Sequence, residues 1–239
     1  MCIRDRLYSG PATVGAIVPN MQVEPEVGHN IDVGLTARAG RMAGSVSYFH
    51  NMYDGFISTE IVATTPSGPV SQAVNFTDVR IQGVEGDLDV PVVTRAGIVT
   101  FFANAALTRG TILSGENPLT GASLAGTPQD NISPLKAIAG VRFTDSRDRW
   151  WVEYGVRSQA DVTRVAETLL ESPYLIPQDL LSLEGFTLQR VSWGLTFRPG
   201  STRLGLVFAV ENLTDRYYRE QFQFAPARGR TFTAAFSVR

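Results

Sequence analysis

Strict alternation of apolar and polar residues near the end of the chain is the feature that most limits its fold. In two stretches an apolar residue occupies every second position: Leu204, Leu206, Phe208 and Val210, then Phe232, Ala234, Phe236 and Val238. A period of two places successive side chains on opposite faces of a β-strand. The pattern therefore predicts two strands, joined by an aromatic- and arginine-rich loop over residues 212–229.

The loop between these strands carries a more specific signal. The residues that form it are Glu211, Asn212, Leu213, Tyr217, Arg228, Gly229 and Arg230. Followed by the alternating last strand, they resemble the C-terminal end of TonB-dependent outer-membrane receptors. Residues 19–34 and 80–85 resemble earlier strands of the same family. Members usually end on an aromatic residue whereas this chain ends at Arg239, a departure that concerns the completeness of the C-terminus.

Composition permits a membrane protein only of the β type. The chain has 239 residues, of which 44% are hydrophobic and 18% charged, with a net charge of −2. No apolar run approaches the roughly 18 to 20 residues that a membrane-spanning helix needs, whereas a β-barrel hides its membrane signal in alternation. The near-neutral charge argues against nucleic acid as a partner. Cys2 is the only cysteine, so no intramolecular disulfide or cysteine metal cluster is expected.

The order of connection lengths predicts a topology. Alternating stretches predict about nine strands, and the links near Gly40, Pro91, Asp145 and Pro199 are short. Long, polar stretches separate them, at residues 58–74, 109–132, 159–185 and 212–229, and residues 162–172 within the third are compatible with a short helix. Outer-membrane barrels have short turns on the periplasmic side and long loops outside. The sequence therefore predicts four external loops and a periplasmic C-terminus.

The predicted fold class is all-β, an antiparallel transmembrane β-barrel. About nine strands cannot close a bacterial barrel, which has an even number of strands. The resemblance implies a barrel of about 22 strands with an N-terminal plug. Residues 7–239 would be its C-terminal portion, with plug, energy-coupling box and signal peptide upstream. Residues 1–6 lack the features of an export signal and are interpreted as a non-native or truncated start.

Alternation also predicts which side chains contact lipid. The residues assigned to the lipid side are Val191, Trp193, Leu195, Phe232 and Phe236. Trp150 and Trp151 lie close to a predicted short turn, a position typical of the lipid–water boundary. The alternative for these aromatic residues is the core of a soluble protein.

The last loop holds the candidate ligand contacts, which are Arg216, Tyr218, Arg219 and Phe222. Guanidinium and aromatic groups suit an anionic ferric chelate, although a merely solvated loop has the same composition. For His29 and His50, a polar rim position is favoured over haem or metal ligation. For Glu85, Asp87 and Asp89, lumen-facing charges are favoured over a cation site. No catalytic or phosphate-binding motif occurs, so neither an enzyme nor a cofactor is predicted.

As the resemblance implies, the expected function is TonB-dependent uptake of a scarce nutrient, with a ferric siderophore as the first choice. Haem, cobalamin and oligosaccharide stay open. The implied partners are outer-membrane lipid, the plug and remaining barrel strands, the TonB energy-coupling complex and the nutrient itself. Two alternatives remain at this point: a passive porin-like barrel and a soluble β-sandwich binding module.

Overall fold

Ten β-strands make up the regular structure in the computed structural model, which describes residues 16–130, 132–166, 184–221, 223 and 225–238. The strands are β1 (Ala16–Val18), β2 (Val27–Ala39), β3 (Met42–Thr65), β4 (Gly68–Val93), β5 (Gly97–Gly115), β6 (Lys136–Asp145), β7 (Trp150–Gln159), β8 (Phe186–Phe197), β9 (Leu204–Glu211) and β10 (Thr231–Val238). Within the described ranges, no helix has the length and apolar character needed to cross a bilayer. Residues 162–166 form no helix, and residues 167–172 lie outside these ranges.

The strands form a single open sheet. β2 to β10 lie side by side in chain order and every neighbouring pair is antiparallel, so the prediction of about nine antiparallel strands is confirmed. β1 is additional, and it pairs in parallel with β4. Because one sheet is present rather than two packed layers, the described chain does not form the β-sandwich that was the soluble alternative.

The hairpin of β3 and β4 corrects the first predicted long loop. Residues 58–74 are strand rather than loop, and residues 66–67 form the turn. β2 pairs with β3 only as far as Asp54, and β5 pairs with β4 only from Thr77 onward. The end of the hairpin therefore extends beyond β2 and β5. Its Thr- and Ser-rich sequence suggested a loop because it lacks a clear apolar face, but threonine and valine favour strands.

The segment at 19–26 crosses this hairpin. β1 lies on the β5 side of β4, whereas β2 lies on the far side of β3. Asn75 holds the crossing: its Oδ1 accepts from the Glu24 amide (2.7 Å), and its Nδ2 donates to the carbonyls of Glu24 (2.9 Å) and Gly55 (2.8 Å). The Ile57 amide donates to Glu26 Oε2 at 3.0 Å. Side-chain hydrogen bonds thus replace the sheet ladder that the crossing chain cannot join.

The remaining connections follow the predicted alternation. Short links span residues 40–41, 94–96, 146–149 and 198–203, whereas longer ones span 116–135, 160–185 and 212–230. In the turn at 146–149, Arg149 binds the Asp145 carboxylate with two hydrogen bonds of 2.7 and 3.1 Å. This guanidinium holds the pKa of Asp145 down, at about 2. The turn is therefore closed by a charged hydrogen-bonded pair rather than by apolar packing.

Three aromatic residues each lie against a glycine on the adjacent strand. The register pairs Phe49 with Gly83, Phe102 with Gly140 and Trp151 with Gly194, and in each pair the ring covers the place that a glycine Cβ would occupy. Such pairs cover exposed backbone and fix strand register. Trp151 consequently lies on the opposite face from Trp150 and Trp193, and Arg142 lies 4.0 Å above its ring.

Candidate functional site

The two faces of the sheet differ sharply in chemistry. Strand register places the predicted lipid-side residues Val191, Trp193, Leu195, Phe232 and Phe236 on one face, which we call the apolar face. Phe232 and Phe236 are 73% and 63% exposed, and Trp193 is 38% exposed. The register also aligns these residues with Tyr154, Val210 and Leu206 on adjacent strands. A wide apolar surface therefore stays uncovered within the described residues, as expected of a wall that contacts lipid.

The opposite face, which we call the polar face, carries charged side chains along most of its length. Its side chains from β2 to β9 include Asp32, Arg38, Glu85, Asp87, Asp89, Lys136, Arg142, Glu153, Arg157, Arg190 and Glu211. Arg142 lies 3.6 Å from Glu153, and Arg190 lies 3.6 Å from Glu211. Charged groups sharing one face of a strand remain hydrated only where water reaches that face. This arrangement suits the lumen side of a barrel wall.

The carboxylates of β4 lie where the alternation predicts. Glu85, Asp87 and Asp89 share the polar face, and Ser45 on β3 donates a hydrogen bond to Asp87. Within the described residues, no three histidine, cysteine or acidic side chains are grouped to hold a metal ion. His29 and His50 lie on the apolar face, opposite these three carboxylates. His29 Nε2 is 4.0 Å from Asp54.

The base of the last loop explains the family motif in structural terms. The Asn212 side chain is 4% exposed; its Oδ1 accepts from the Arg216 amide (2.8 Å), and its Nδ2 donates to the Arg216 carbonyl (2.9 Å). Asp215 Oδ1 accepts from the Arg230 amide at 2.7 Å. A side chain at Gly229 would lie 2.8 Å from that same oxygen. Asn212 and Asp215 therefore join both ends of the loop to each other.

Above this base, the loop folds back over the polar face and borders a half-open cavity of about 850 Å³. The lining includes Phe102, Ile138, Arg157, Arg190, Tyr218 and Arg228. Arg157 forms an ion pair with Glu220 of the loop, and its guanidinium carbon lies 5.1 Å from the centre of the Phe186 ring. Phe186 and Tyr218 have ring centres 4.5 Å apart. Charge pairing and aromatic contact thus fix the loop to the wall.

The cavity combines aromatic surface with nearly balanced charge. Arg157, Arg190 and Arg228 line it, and so do Glu153, Glu211 and Glu220. Two of these arginines are paired with carboxylates, whereas Arg228 makes none of the ion pairs found among the described residues. Arg228 therefore offers a guanidinium group for a ligand.

The four candidate ligand contacts have different positions. Tyr218 lines the cavity. Arg216 is exposed and its Nη2 donates to the Gly185 carbonyl at 3.1 Å, which is a structural contact between loops. Arg219 Nε is buried and has no hydrogen-bond partner within the described part of the chain. Phe222 lies outside the described residues. The wall residues Arg157 and Arg190 were missed, because alternation predicts a face without showing which residues the loop covers.

A pair of carboxyl groups near the projecting hairpin was also missed. Burial raises the pKa of Glu60 on β3, and the charge of Asp130 raises it further. Burial likewise raises the pKa of Asp130, whereas the hydrogen bond of 2.5 Å that Gln129 Nε2 donates to this carboxylate lowers it. The two residues are distant in sequence, and sequence patterns do not show that a connection folds against a hairpin.

Comparison with protein families identifies this architecture. The family model "TonB dependent receptor-like, beta-barrel" matches residues 4–213, which is most of the chain. The chain belongs to the TonB-dependent receptor family. Members of this family are transporters and receptors of the Gram-negative outer membrane rather than enzymes. No curated protein sequence is significantly similar to this receptor chain.

Several solved structures share this fold. The copper transporter OprC has a TM-score of 0.67 at 21% identity, covering 89% of this chain and 31% of OprC. The siderophore receptor PirA from Pseudomonas aeruginosa has a TM-score of 0.60 at 16% identity, covering 94% and 31%. BauA, the ferric preacinetobactin receptor from Acinetobacter baumannii, has a TM-score of 0.64 at 17% identity, covering 98% and 32%. The receptor chain thus spans about a third of the length of these structures.

Proposed function

We propose that this chain forms part of the wall and the ligand-binding region of an outer-membrane receptor that takes up a scarce nutrient, with a ferric siderophore as cargo. The observation that carries the proposal is the cavity of about 850 Å³ between the last loop and the polar face. Its volume lies in the range of pockets for small organic ligands. The similar structures PirA and BauA are named for a siderophore and a ferric ligand, which favours an iron chelate.

The lining supports an anionic chelate with aromatic parts. Tyr218 and Phe102 offer ring faces, and Arg228 offers an unpaired guanidinium group among the described residues. Arg157 and Arg190 keep their carboxylate partners and therefore present reduced positive charge. A ligand with one or two exposed anionic oxygens and a planar aromatic surface fits this balance.

The sidedness of the sheet supports transport in one direction. The projecting hairpin and the long connections share one end, which we assign to the cell exterior, and the short turns share the periplasmic end. The cavity lies at the exterior end, beneath residues 212–230. In the proposed receptor, further strands and a plug complete the barrel, and a coupling segment engages TonB.

The test uses the full-length receptor in an outer membrane depleted of other iron receptors. Arg228→Gln removes a cavity guanidinium, whereas Arg230→Gln removes a guanidinium two residues away that does not line the cavity. Loss of a charged hydrogen bond is worth roughly 1.5 to 3 kcal/mol, so we expect Arg228→Gln to weaken chelate binding about 10- to 100-fold. Arg230→Gln should bind as the unmodified receptor does.

Two results would contradict the proposal. Equal binding by both variants would show that the cavity does not hold the ligand. Uptake that continues after removal of TonB would indicate a passive porin-like barrel instead, since such a barrel needs no energy coupling.

A further inference from the structure

The apolar face changes character abruptly near its exterior end. The register aligns Val33, Tyr48, Val84 and Leu107 in one row across β2 to β5, and these side chains are 42–64% exposed. The next row toward the exterior is Ile31, His50, Gln82 and Arg109. Between the Tyr48 row and the short turns, the part of this face formed by β2 to β5 contains no acidic or basic side chain. The boundary between aliphatic and polar surface is therefore one row wide.

Hydrogen bonds mark this boundary. The Tyr48 hydroxyl lies 3.2 Å from His50 Nδ1 and donates to Gln82 Oε1 at 3.4 Å. His50 Nδ1 is also 3.2 Å from Gln82 Oε1. These three side chains partner one another across β3 and β4, as amphipathic groups do at a membrane–water interface.

Two arginines stand directly beyond the boundary. Arg109 is paired across strands with Gln82, and Arg80 with Thr111, so the arginines are diagonal neighbours on β4 and β5. Diagonal neighbours are about 7–8 Å apart, within reach of one shared group. Among the residues that the structure describes, neither arginine takes part in an ion pair, and Arg80 Nε is buried without a hydrogen-bond partner.

The nearest carboxylates on this face are those of Asp78, which is hydrogen-bonded, and Asp54. Asp78 accepts from Ser114 Oγ at 2.5 Å and from the Gly55 amide at 3.0 Å. Asp54 lies 4.0 Å from His29 Nε2. Both lie farther toward the exterior than the arginines, so a group approaching along the aliphatic surface meets Arg109 and Arg80 first.

We infer that Arg80 and Arg109 bind the phosphate of a phosphorylated lipid in the exterior leaflet, whose acyl chains lie on the aliphatic rows below. Guanidinium groups bind phosphate through paired hydrogen bonds, and the uncharged rows suit acyl chains. Gln82 and His50 add polar partners at the level of the headgroup. The inference rests on the proposed function for its membrane orientation, but it concerns the opposite face from the nutrient cavity.

The experiment is lipid titration of the purified full-length receptor in neutral detergent, followed by native mass spectrometry. The probe is lipid A carrying two phosphates, compared with the same lipid after phosphate removal. The double variant Arg80→Gln/Arg109→Gln is compared with Arg41→Gln/Arg95→Gln, which removes equal charge from exposed short turns at the other end. We expect the first pair to lose roughly tenfold or more in lipid A affinity and the second pair to lose little.

Results with the unmodified receptor keep the inference testable should the variants fail to fold. Preference for the phosphorylated probe supports the site, and equal retention of both probes overturns it. Equal losses in the two double variants also overturn it. Lipid binding with these properties in a receptor that takes up no iron chelate would leave the lipid site standing and refute the proposed cargo instead.

Discussion

Asn212 provides the sharpest test of how the last loop is held. In Asn212→Ala the hydrogen bonds of 2.8 and 2.9 Å to Arg216 are lost, at about 1 kcal/mol each. The residue has φ of 52°, a conformation that costs alanine roughly 1 kcal/mol more. Together these effects lower the free energy of loop opening by about 3 kcal/mol, which corresponds to roughly 100-fold faster local exchange.

The assay is hydrogen–deuterium exchange of the full-length receptor, followed at amides that do not bond to Asn212. Suitable amides are those of Ala227, which donates to the Tyr218 carbonyl at 2.9 Å, and Arg230, which donates to Asp215. Thr214→Ala, an exposed change in the same motif, is the control and should leave both amides unaffected. Exchange within threefold of the unmodified receptor would refute the view that Asn212 closes the loop.

Three further predictions concern other parts of the sheet. In Gly140→Ala the new Cβ would lie 2.5 Å from the Tyr154 carbonyl oxygen and against the Phe102 ring, so overpacking should destabilise the receptor by about 1–3 kcal/mol in denaturant unfolding. Gly155→Ala meets no atom closer than 3.9 Å and serves as its control; equal stabilities would contradict the packing argument. Asp145→Asn removes a carboxyl group whose pKa in the folded protein is depressed to about 2. The stability that this carboxylate contributes is fully present above the unfolded pKa near 3.9 and is lost as pH falls through about 2. Melting temperatures of this variant and the unmodified receptor should therefore differ at pH 7 and converge near pH 2, whereas a constant difference would disprove the linkage. Asn75→Ala removes two hydrogen bonds to Glu24 in the crossing segment (2.7 and 2.9 Å) and one to the Gly55 carbonyl (2.8 Å), and should speed exchange of the Glu24 amide by at least tenfold. Ser71→Ala is the control, and unchanged exchange would show that other contacts hold the segment.

The two faces of the sheet were predictable because alternation is a local property. Val191, Trp193 and Leu195 needed only their own strand to be placed on one face, and the family motif around Asn212 named the architecture. Short turns such as residues 40–41 were equally local, because glycine at φ of 61° permits a tight turn there. Fold class therefore followed from short-range patterns.

Contacts between residues far apart in the chain could not be predicted from the sequence. Nothing near Tyr218 shows that it packs on Phe186, because the loop reaches the wall only after the whole sheet has formed. The parallel pairing of β1 with β4 joins residues far apart in the chain, and residues 16–18 are too few to show a period. Trp151 was placed with its aromatic neighbours near the turn, whereas strand pairing puts its ring over Gly194 on the other face.

The projecting end of the β3–β4 hairpin also offers practical access. From the Thr77 pairing to the turn at residues 66–67, about ten residues at roughly 3.3 Å each give a reach on the order of 30 Å past β2 and β5. An epitope inserted between Pro66 and Ser67 would therefore stand clear of the barrel rim, where an antibody added to intact cells reaches it. Such surface labelling would report the orientation of the receptor without disrupting a single paired strand.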